Sequence, residues 1–367
     1  MATSPGASAP SSYTVNYDAL LSTTLFAYRN KMVDNIFRHN AFLAALRLMG
    51  GLDFQDGGER VQCPLMYEEN STVKSYRGYE TIDTTPQDGQ TSAFFEWSEI
   101  AGSISISRRE ERQNSGEAQI LKLLEKKIMQ AEMTIKEKVN TQLVQGTVDT
   151  ATFVPGNDAK DLNPLGYFLP KAIGTDPVAG GSVGNINRAT YSWWRPYVAD
   201  LSTGTVGNNT FALNVTTYAG LRVALYRMYN YCTRGADGSG PGIVLTDQVT
   251  YETYENSLDQ LKRYGNDDLV SMGFDNVKLK GATMIWDEQV PDMENGTVAI
   301  TTGSAFFVNP NFYKLIIDSE TNFVTTAFVE PENQTAKTAK VLFMGQSSSD
   351  NMRKHGMCMG ISQSITS

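Results

Sequence analysis

Residues able to do chemistry are few in this chain. His39 and His355 are the only histidines, and neither has a second ligand or a triad partner at usable spacing. Each is read as a structural histidine. Cys63, Cys232 and Cys358 show no CxxC spacing, which predicts free thiols in a reducing compartment. Gly235-Ala-Asp-Gly-Ser-Gly-Pro-Gly242 lacks the Lys-Ser/Thr of a phosphate loop and precedes a strand signal, so it predicts a flexible turn. Glu68-Glu69, Glu110-Glu111 and Asp267-Asp268 are neighbours whose side chains diverge on a helix or a strand, leaving solvated faces. Arg108-Arg109-Glu110-Glu111-Arg112 nets to one positive charge and suits local ion pairs. The expectation is a protein that is not an enzyme, with no catalytic residue, no metal and no cofactor.

One patch could bind. Tyr191, Trp193 and Trp194, flanked by Arg188 and Arg195, could stack nucleotide bases. The same residue types are enriched where subunits meet. Charge weighs between the two. With 31 Lys and Arg against 40 Asp and Glu, the net charge is −9, poorly suited to neutralising phosphates. Core or interface is therefore favoured for Trp193, Trp194 and Arg195. A nucleic-acid-binding protein using the Tyr191–Arg195 patch is the alternative. Charged residues make up only 19% of the chain, below the usual quarter or so, leaving a Thr-, Ser-, Asn-, Gln- and Tyr-rich surface suited to contact with other protein.

The elements that must carry these residues centre on 114–146. Leu121, Leu124, Ile128, Ala131, Ile135, Val139 and Leu143 recur at three- and four-residue steps, one apolar stripe along a long helix. Asn114 with Glu117 can cap its start, and Gly146 can end it. Such a helix is a spine across a domain, since a mean globular helix is only about 11–12 residues long. Residues 1–16 read as a small-residue arm without a secretory signal, and no apolar run approaches the roughly 18 residues of a membrane span.

A helix is expected from about Asp18 to Met49, stopped by Gly50-Gly51. From 52 to 112 the pattern turns to strands. Val61, Cys63 and Leu65 alternate with polar positions, as do Ala93, Phe95 and Trp97. Between them 70–90 is nearly all polar and could make no core of its own. It reads as a long two-stranded arm that needs something else to lie on. Beyond 165 come helices at Thr217–Thr233 and from Thr246 or Asp247 to Leu261, a short strand at Ile243, and closing strands to Met357–Ile361. The class is α+β.

With these features on the page, the chain resembles the major capsid protein of tailed bacteriophages, the Hong Kong 97-like fold. The resemblance rests on Tyr17–Leu25 with Asp34–Phe37, on Gly57-Gly58 leading to Pro64–Tyr79, on Asn114-Ser-Gly116, and on Thr190–Arg195. It runs from Tyr17 to the C-terminus and is most specific over Pro64–Tyr79. It implies an α+β capsid fold with an N-terminal arm and helix (1–51), an extended β-hairpin loop (52–112), a peripheral domain with the spine helix (113–164 and 321–367) and an axial domain (165–320).

The same resemblance implies self-assembly through hexamers and pentamers into an icosahedral virion shell around double-stranded DNA. The DNA is cargo without sequence-specific binding, and no membrane is involved. Scaffolding, portal and decoration proteins are implied partners, with assembly in the host cytoplasm. Sixteen residues before the first helix are too few for a scaffold segment, which implies a separate scaffold or none. Tyr67, Lys74, Tyr76, Arg77, Tyr79 and Ile82 would contact a neighbouring subunit. Some family members crosslink a loop lysine to a neighbour's asparagine, and Lys74 is the only lysine between Val61 and Ser107; a plain surface lysine is the simpler reading.

Overall fold

The computed structural model describes residues 40–113, 123–145, 147–148, 153–154, 160–169, 181–202, 210–211, 213–235, 237–258, 277–290, 293–294, 297–298, 302–331, 335–362 and 365. The expected helix from Asp18 is described only in its last part, α1 (Ala41–Leu48). Leu121, the Leu124 side chain and the caps Asn114 and Gly146 lie outside the described residues.

Two sheets carry the molecule. The first is four-stranded, in the order β1 (Leu52–Gln55), β16 (Tyr313–Thr325), β17 (Ala336–Ser349), β4 (Ser98–Ser107). β4 pairs antiparallel with β17 from Ser107↔Ala336 to Ser98↔Gly345. Only one edge of β4 is used among the described residues. A short helix, α2 (Arg108–Gln113), follows β4. The spine is α3 (Leu123–Val144), and Ile135, Val139, Leu143 and Val144 are buried on it, with Ile128 and Ala131 half-buried. It lies over β4 and β17. Gly102 on β4 allows this close approach, because a Cβ there would sit 3.2 Å from Ile135 Cδ1.

The second sheet is six-stranded, in the order β11 (Val277–Leu279), β12 (Ala282–Trp286), β10 (Ile243–Thr246), β15 (Thr302–Val308), β18 (Gly356–Ser362), β9 (Tyr197–Asp200). The central strand β10, Ile-Val-Leu-Thr, is buried at every position because both faces of the sheet are covered. Val244 and Phe307 pack beneath α5 (Tyr218–Cys232) and α6 (Gln248–Ser257). Ile243, Leu245, Phe306 and Val308 face the other way, into the core shared with the spine. Both helices start on side-chain caps. Thr217 accepts from Gly220 N–H and Asp247 from Thr250 N–H, worth about 1 kcal/mol each. The second helix ends at Ser257, short of the expected Leu261.

The remaining pairs are short. β2 (Val61–Met66) pairs with β3 (Gln90–Phe95). β5 (Thr147–Val148) pairs with β6 (Phe153–Val154), β7 (Ser182–Val183) with β8 (Ile186–Asn187), and β13 (Met293–Glu294) with β14 (Thr297–Val298). A single helical turn, α4 (Leu165–Phe168), buries Phe168.

Two of the expected divisions are crossed by strand pairing. Within 321–367, β17 lies under the spine, while β18 lies in the six-stranded sheet, parallel to β9 and antiparallel to β15. The expected boundary at 320/321 also falls inside β16. Non-local pairing decides both, and nothing in a local pattern encodes it. The stretch 52–112 is shared between sheet strands and a free segment. β1 and β4 are built into the four-stranded sheet, and β2–β3 is anchored by buried Val61, Cys63, Ala93 and Phe95. Only 67–89 stands free.

Candidate interaction site

The free segment leaves the body where Met66 faces Gln90. Its two limbs run back to back without a strand ladder. Tyr67 N–H donates to the Gly89 carbonyl at 3.0 Å and Tyr67 O–H to that of Asp88 at 2.9 Å. Further out, Ser71 Oγ donates to Gln87 Oε1 at 2.8 Å and Lys74 Nζ to the Thr81 carbonyl at 2.8 Å. The tip turns at Gly78, whose φ of 60° favours glycine.

The expected two-stranded arm is therefore corrected to an open hairpin path without strands. The cause is local. Asn70 Oδ1 takes the Thr72 N–H at 2.9 Å and Asp83 Oδ1 the Thr85 N–H at 3.0 Å. Such turns satisfy the backbone in place of a ladder, and Pro86 brings no N–H at all. The Thr85 hydroxyl and N–H hold the Asp83 carboxyl below its usual range.

The arm exposes apolar surface that nothing on its own chain covers. Val73 is 80% exposed, and Tyr76, Tyr79 and Ile82 are exposed too. Isolated exposed apolar side chains are ordinary, but a group of four on one unsupported segment marks an interaction surface. Arg77 N–H donates to Glu80 Oε2 at 3.4 Å across the tip. Lys74 is spent on Thr81.

At the root, the arm meets the aromatic patch. The Tyr67 ring stacks on Trp193 at 5.5 Å, with 22° between planes. Desolvation there, with Asp88 and Glu68 nearby, pushes the Tyr67 phenol above its usual range. Trp193 also touches Tyr191 and Trp194 at 5.9 and 5.6 Å. Trp194 is buried and donates Nε1–H to the Val183 carbonyl at 3.0 Å. Arg195 turns inward, giving Nε–H to the Arg188 carbonyl at 2.5 Å and Nη2–H to that of Ala189 at 2.6 Å. Arg188 is buried as well, and burial pulls its guanidinium down to about 9.

A base-stacking face needs open rings and free cations. Here Trp194 and both arginines are committed to the fold, and Tyr191 alone keeps an exposed ring. With Trp194 buried and Arg195 half-buried, the nucleic-acid alternative is unsupported. Trp193 is a mount for the arm. Sequence reasoning missed that link, because Tyr67 and Trp193 lie far apart in the chain.

His355 and the three cysteines are built into the body, while His39 and Asp267-Asp268 lie outside the described residues. His355 is buried, accepts the Asn309 N–H on Nδ1 at 3.2 Å and lies 3.1 Å from Ser349 Oγ through Nε2. Burial pulls it down to about 3, so it stays neutral. Cys63, Cys232 and Cys358 are buried free thiols that burial pushes up, out of the reactive range. The glycine-rich turn after α5 is pinned, because Lys354 Nζ pairs with Asp237 and donates to the Ser239 carbonyl at 3.1 Å. No group of His, Cys, Asp and Glu among the described residues could hold a metal ion. No described helix is long and apolar enough to cross a membrane.

No family model matches the sequence, and no curated protein matches it significantly. Solved structures do. The chain is similar to the cyanophage A-1(L) capsid asymmetric unit at 13% identity, covering 95% of this chain and 99% of that one, with a TM-score of 0.62. The fold is that of phage capsid proteins. The capsid of the native GTA particle is similar at 10% identity, covering 97% and 100%, with a TM-score of 0.55. The capsid of Myoviridae phage XM1 is similar at 11% identity, covering 93% and 100%, with a TM-score of 0.52. The likeness in fold extends over nearly the whole chain.

Proposed function

We propose that this protein is a major capsid protein that assembles with copies of itself into an icosahedral head shell around double-stranded DNA. Supporting this is the capsid fold over nearly the whole chain, together with an arm at 67–89 whose apolar side chains have no home on their own subunit. Each subunit lays its arm on a neighbour, exchanging exposed Val73, Tyr76, Tyr79 and Ile82 for buried contact. At about 25 cal/mol per Å² of apolar surface buried, such contacts are modest singly. Repeated around a closed shell they become strong through multivalency.

Hexamers and pentamers are the units of assembly, in the host cytoplasm, with scaffolding, portal and decoration proteins as further partners. The domain scheme consistent with this role has the spine and the four-stranded sheet in a peripheral unit and the six-stranded sheet in an axial one. With a net charge of −9, the lumen repels DNA and lets it slide. Lys74 acts as a surface lysine bonded to Thr81.

Replacing 70–88 with a short glycine-containing turn tests the role of the arm. The arm buries little at home, so the variant should fold with an unchanged circular dichroism spectrum and fail to form shells. A folded variant that closes normal shells would remove the arm from assembly. An unfolded variant would show that the arm belongs to its own core.

A further inference from the structure

One helix of this acidic chain carries no acid. Between Asp200 and Asp237 the sequence holds Arg222, Arg227 and Arg234 and not one Asp or Glu. The middle of that stretch is α5, whose inner face is buried at Leu221, Leu225, Met228 and Cys232. On its outer face Val223, Arg227 and Asn230 are exposed at steps of four and three residues. Arg234, also exposed, continues the series just past the helix end. Such steps make one stripe along a helix. Lys280, at the β11–β12 turn, joins the stripe by donating to Asn230 Oδ1 at 2.5 Å.

These cations are mounted on rings. The Arg227 guanidinium lies 5.4 Å from the Phe211 centroid and that of Arg234 lies 4.0 Å from the Tyr231 centroid. Phe211 and Tyr231 stack on each other at 5.9 Å with 15° between planes, so one aromatic pair carries both arginines. Lys280 Nζ sits 5.4 Å from the Tyr226 centroid. None of the three cations forms an ion pair among the described residues. Carboxylates at hand are taken elsewhere. Asp237 pairs with Lys354, Asp200 accepts from Ser202, and Glu252 of α6 accepts from Gln248. A ring holds a cation in place without neutralising it, so little freedom is lost when an anion arrives.

The chemistry of the stripe selects its partner. A protein partner needs an apolar core at the contact, and Val223 is the one large apolar side chain exposed on α5. A chain of phosphates needs no such core. A DNA duplex carries one negative charge per about 1.7 Å of axis, and Arg227 and Arg234 stand two helical turns, roughly 10 Å, apart. Guanidinium groups match phosphate oxygens through paired N–H donors. We propose that Arg227, Arg234 and Lys280 form a sequence-independent contact for the phosphate backbone of the enclosed double-stranded DNA. The proposal rests on the shell reading above for its partner, and it adds a local foothold to a wall that otherwise repels. Such contacts follow charge and not base, so the DNA still slides.

Salt-dependent binding by the full-length, unassembled protein tests it. The probe is a short fluorescent DNA duplex of mixed sequence, followed by anisotropy from about 50 to 200 mM salt. Three phosphate contacts predict a log–log slope of about −2.7 and an affinity loss of about 40-fold over that range. Arg227→Gln with Arg234→Gln should bring the slope to about −0.9. Lys280→Gln, on a turn outside the helix, should shrink it by about 0.9 and serves where the double variant does not fold. Arg108→Gln with Arg109→Gln, exposed arginines on α2, should leave it unchanged.

A wild-type protein that ignores the duplex, or a slope that none of the Arg227, Arg234 and Lys280 changes moves, would overturn the contact. Polyglutamate that displaces the duplex as well as polyphosphate of equal charge would overturn it too, in favour of an acidic protein. Micrographs of the same proteins read the shell separately. Shells built by a chain without this DNA contact would overturn the contact alone. A chain that binds through the stripe yet never assembles would instead overturn the shell reading.

Discussion

Gly102→Ala probes how the spine sits on the sheet. A methyl at this position would lie 3.2 Å from Ile135 Cδ1, 3.5 Å from Cγ1 and 4.0 Å from the Ala131 Cβ. The first distance is too short for comfort, and overpacking of this kind costs about 1–3 kcal/mol. Against it, alanine narrows the unfolded ensemble and returns about 0.4–1 kcal/mol. The net single-site effect is thus about 0–2.6 kcal/mol of destabilisation, a range that reaches zero and is not decisive alone. Ile135→Val removes the offending Cδ1 and costs about 0.5–1.5 kcal/mol by itself.

The double variant separates the effects. The unfolded-state gain at 102 is present with either residue at 135 and cancels in the cycle. What remains is the clash, so the double variant should be more stable than the sum of the singles by about 1 kcal/mol. Urea unfolding of the unassembled subunit, with unchanged slope, measures it. Strict additivity would mean that α3 does not lie over Gly102, and the spine's placement would be wrong.

Two other outcomes follow from particular side chains. His355 has a folded pKa of about 3 against about 6.5 unfolded, so between those values the unfolded chain holds the extra proton. Its stabilising contribution is whole above pH ~6.5 and is lost as pH falls toward 3, by up to about 1.4 kcal/mol per pH unit. His355→Gln should flatten the acid limb of stability between pH 6 and 4.5 in urea titrations; an unchanged slope would refute the neutral, buried histidine. Trp193→Ala should release the root of the arm by removing the Tyr67 stack, so limited proteolysis within 67–89 should quicken with little change in thermal midpoint. Unaltered cleavage would show that the stack does not hold the arm.

Local signals in the sequence carried well. The helical stretch Thr217–Thr233 and a cap at Thr246 or Asp247 announce α5 and α6, because a cap is read within three residues. Of the two cap candidates Asp247 is the one used. The alternation at Ile104 and Ile106 announces β4, and the step pattern through Ile135, Val139 and Leu143 announces the buried face of the spine. What did not show is everything set by distant partners. β18 looks like any closing strand until β9 and β15 receive it. Trp193 and Trp194 are alike in sequence, yet one mounts the arm and the other fills the core, since neighbouring side chains diverge. The arm was legible as a segment without a core, but its Asn70 and Asp83 turns outweigh the strand signal expected there. Arg188 gives no hint of burial, and the β7–β8 hairpin with Tyr167 encloses it.

The central claim is that this chain builds a shell from copies of itself. Negative-stain electron microscopy of the full-length protein, purified alone and with its scaffold where one exists, reads this directly. Closed shells, or free hexamers and pentamers on the way to them, are the expected result. A particle that stays monomeric at every concentration, with or without scaffold, would contradict the account.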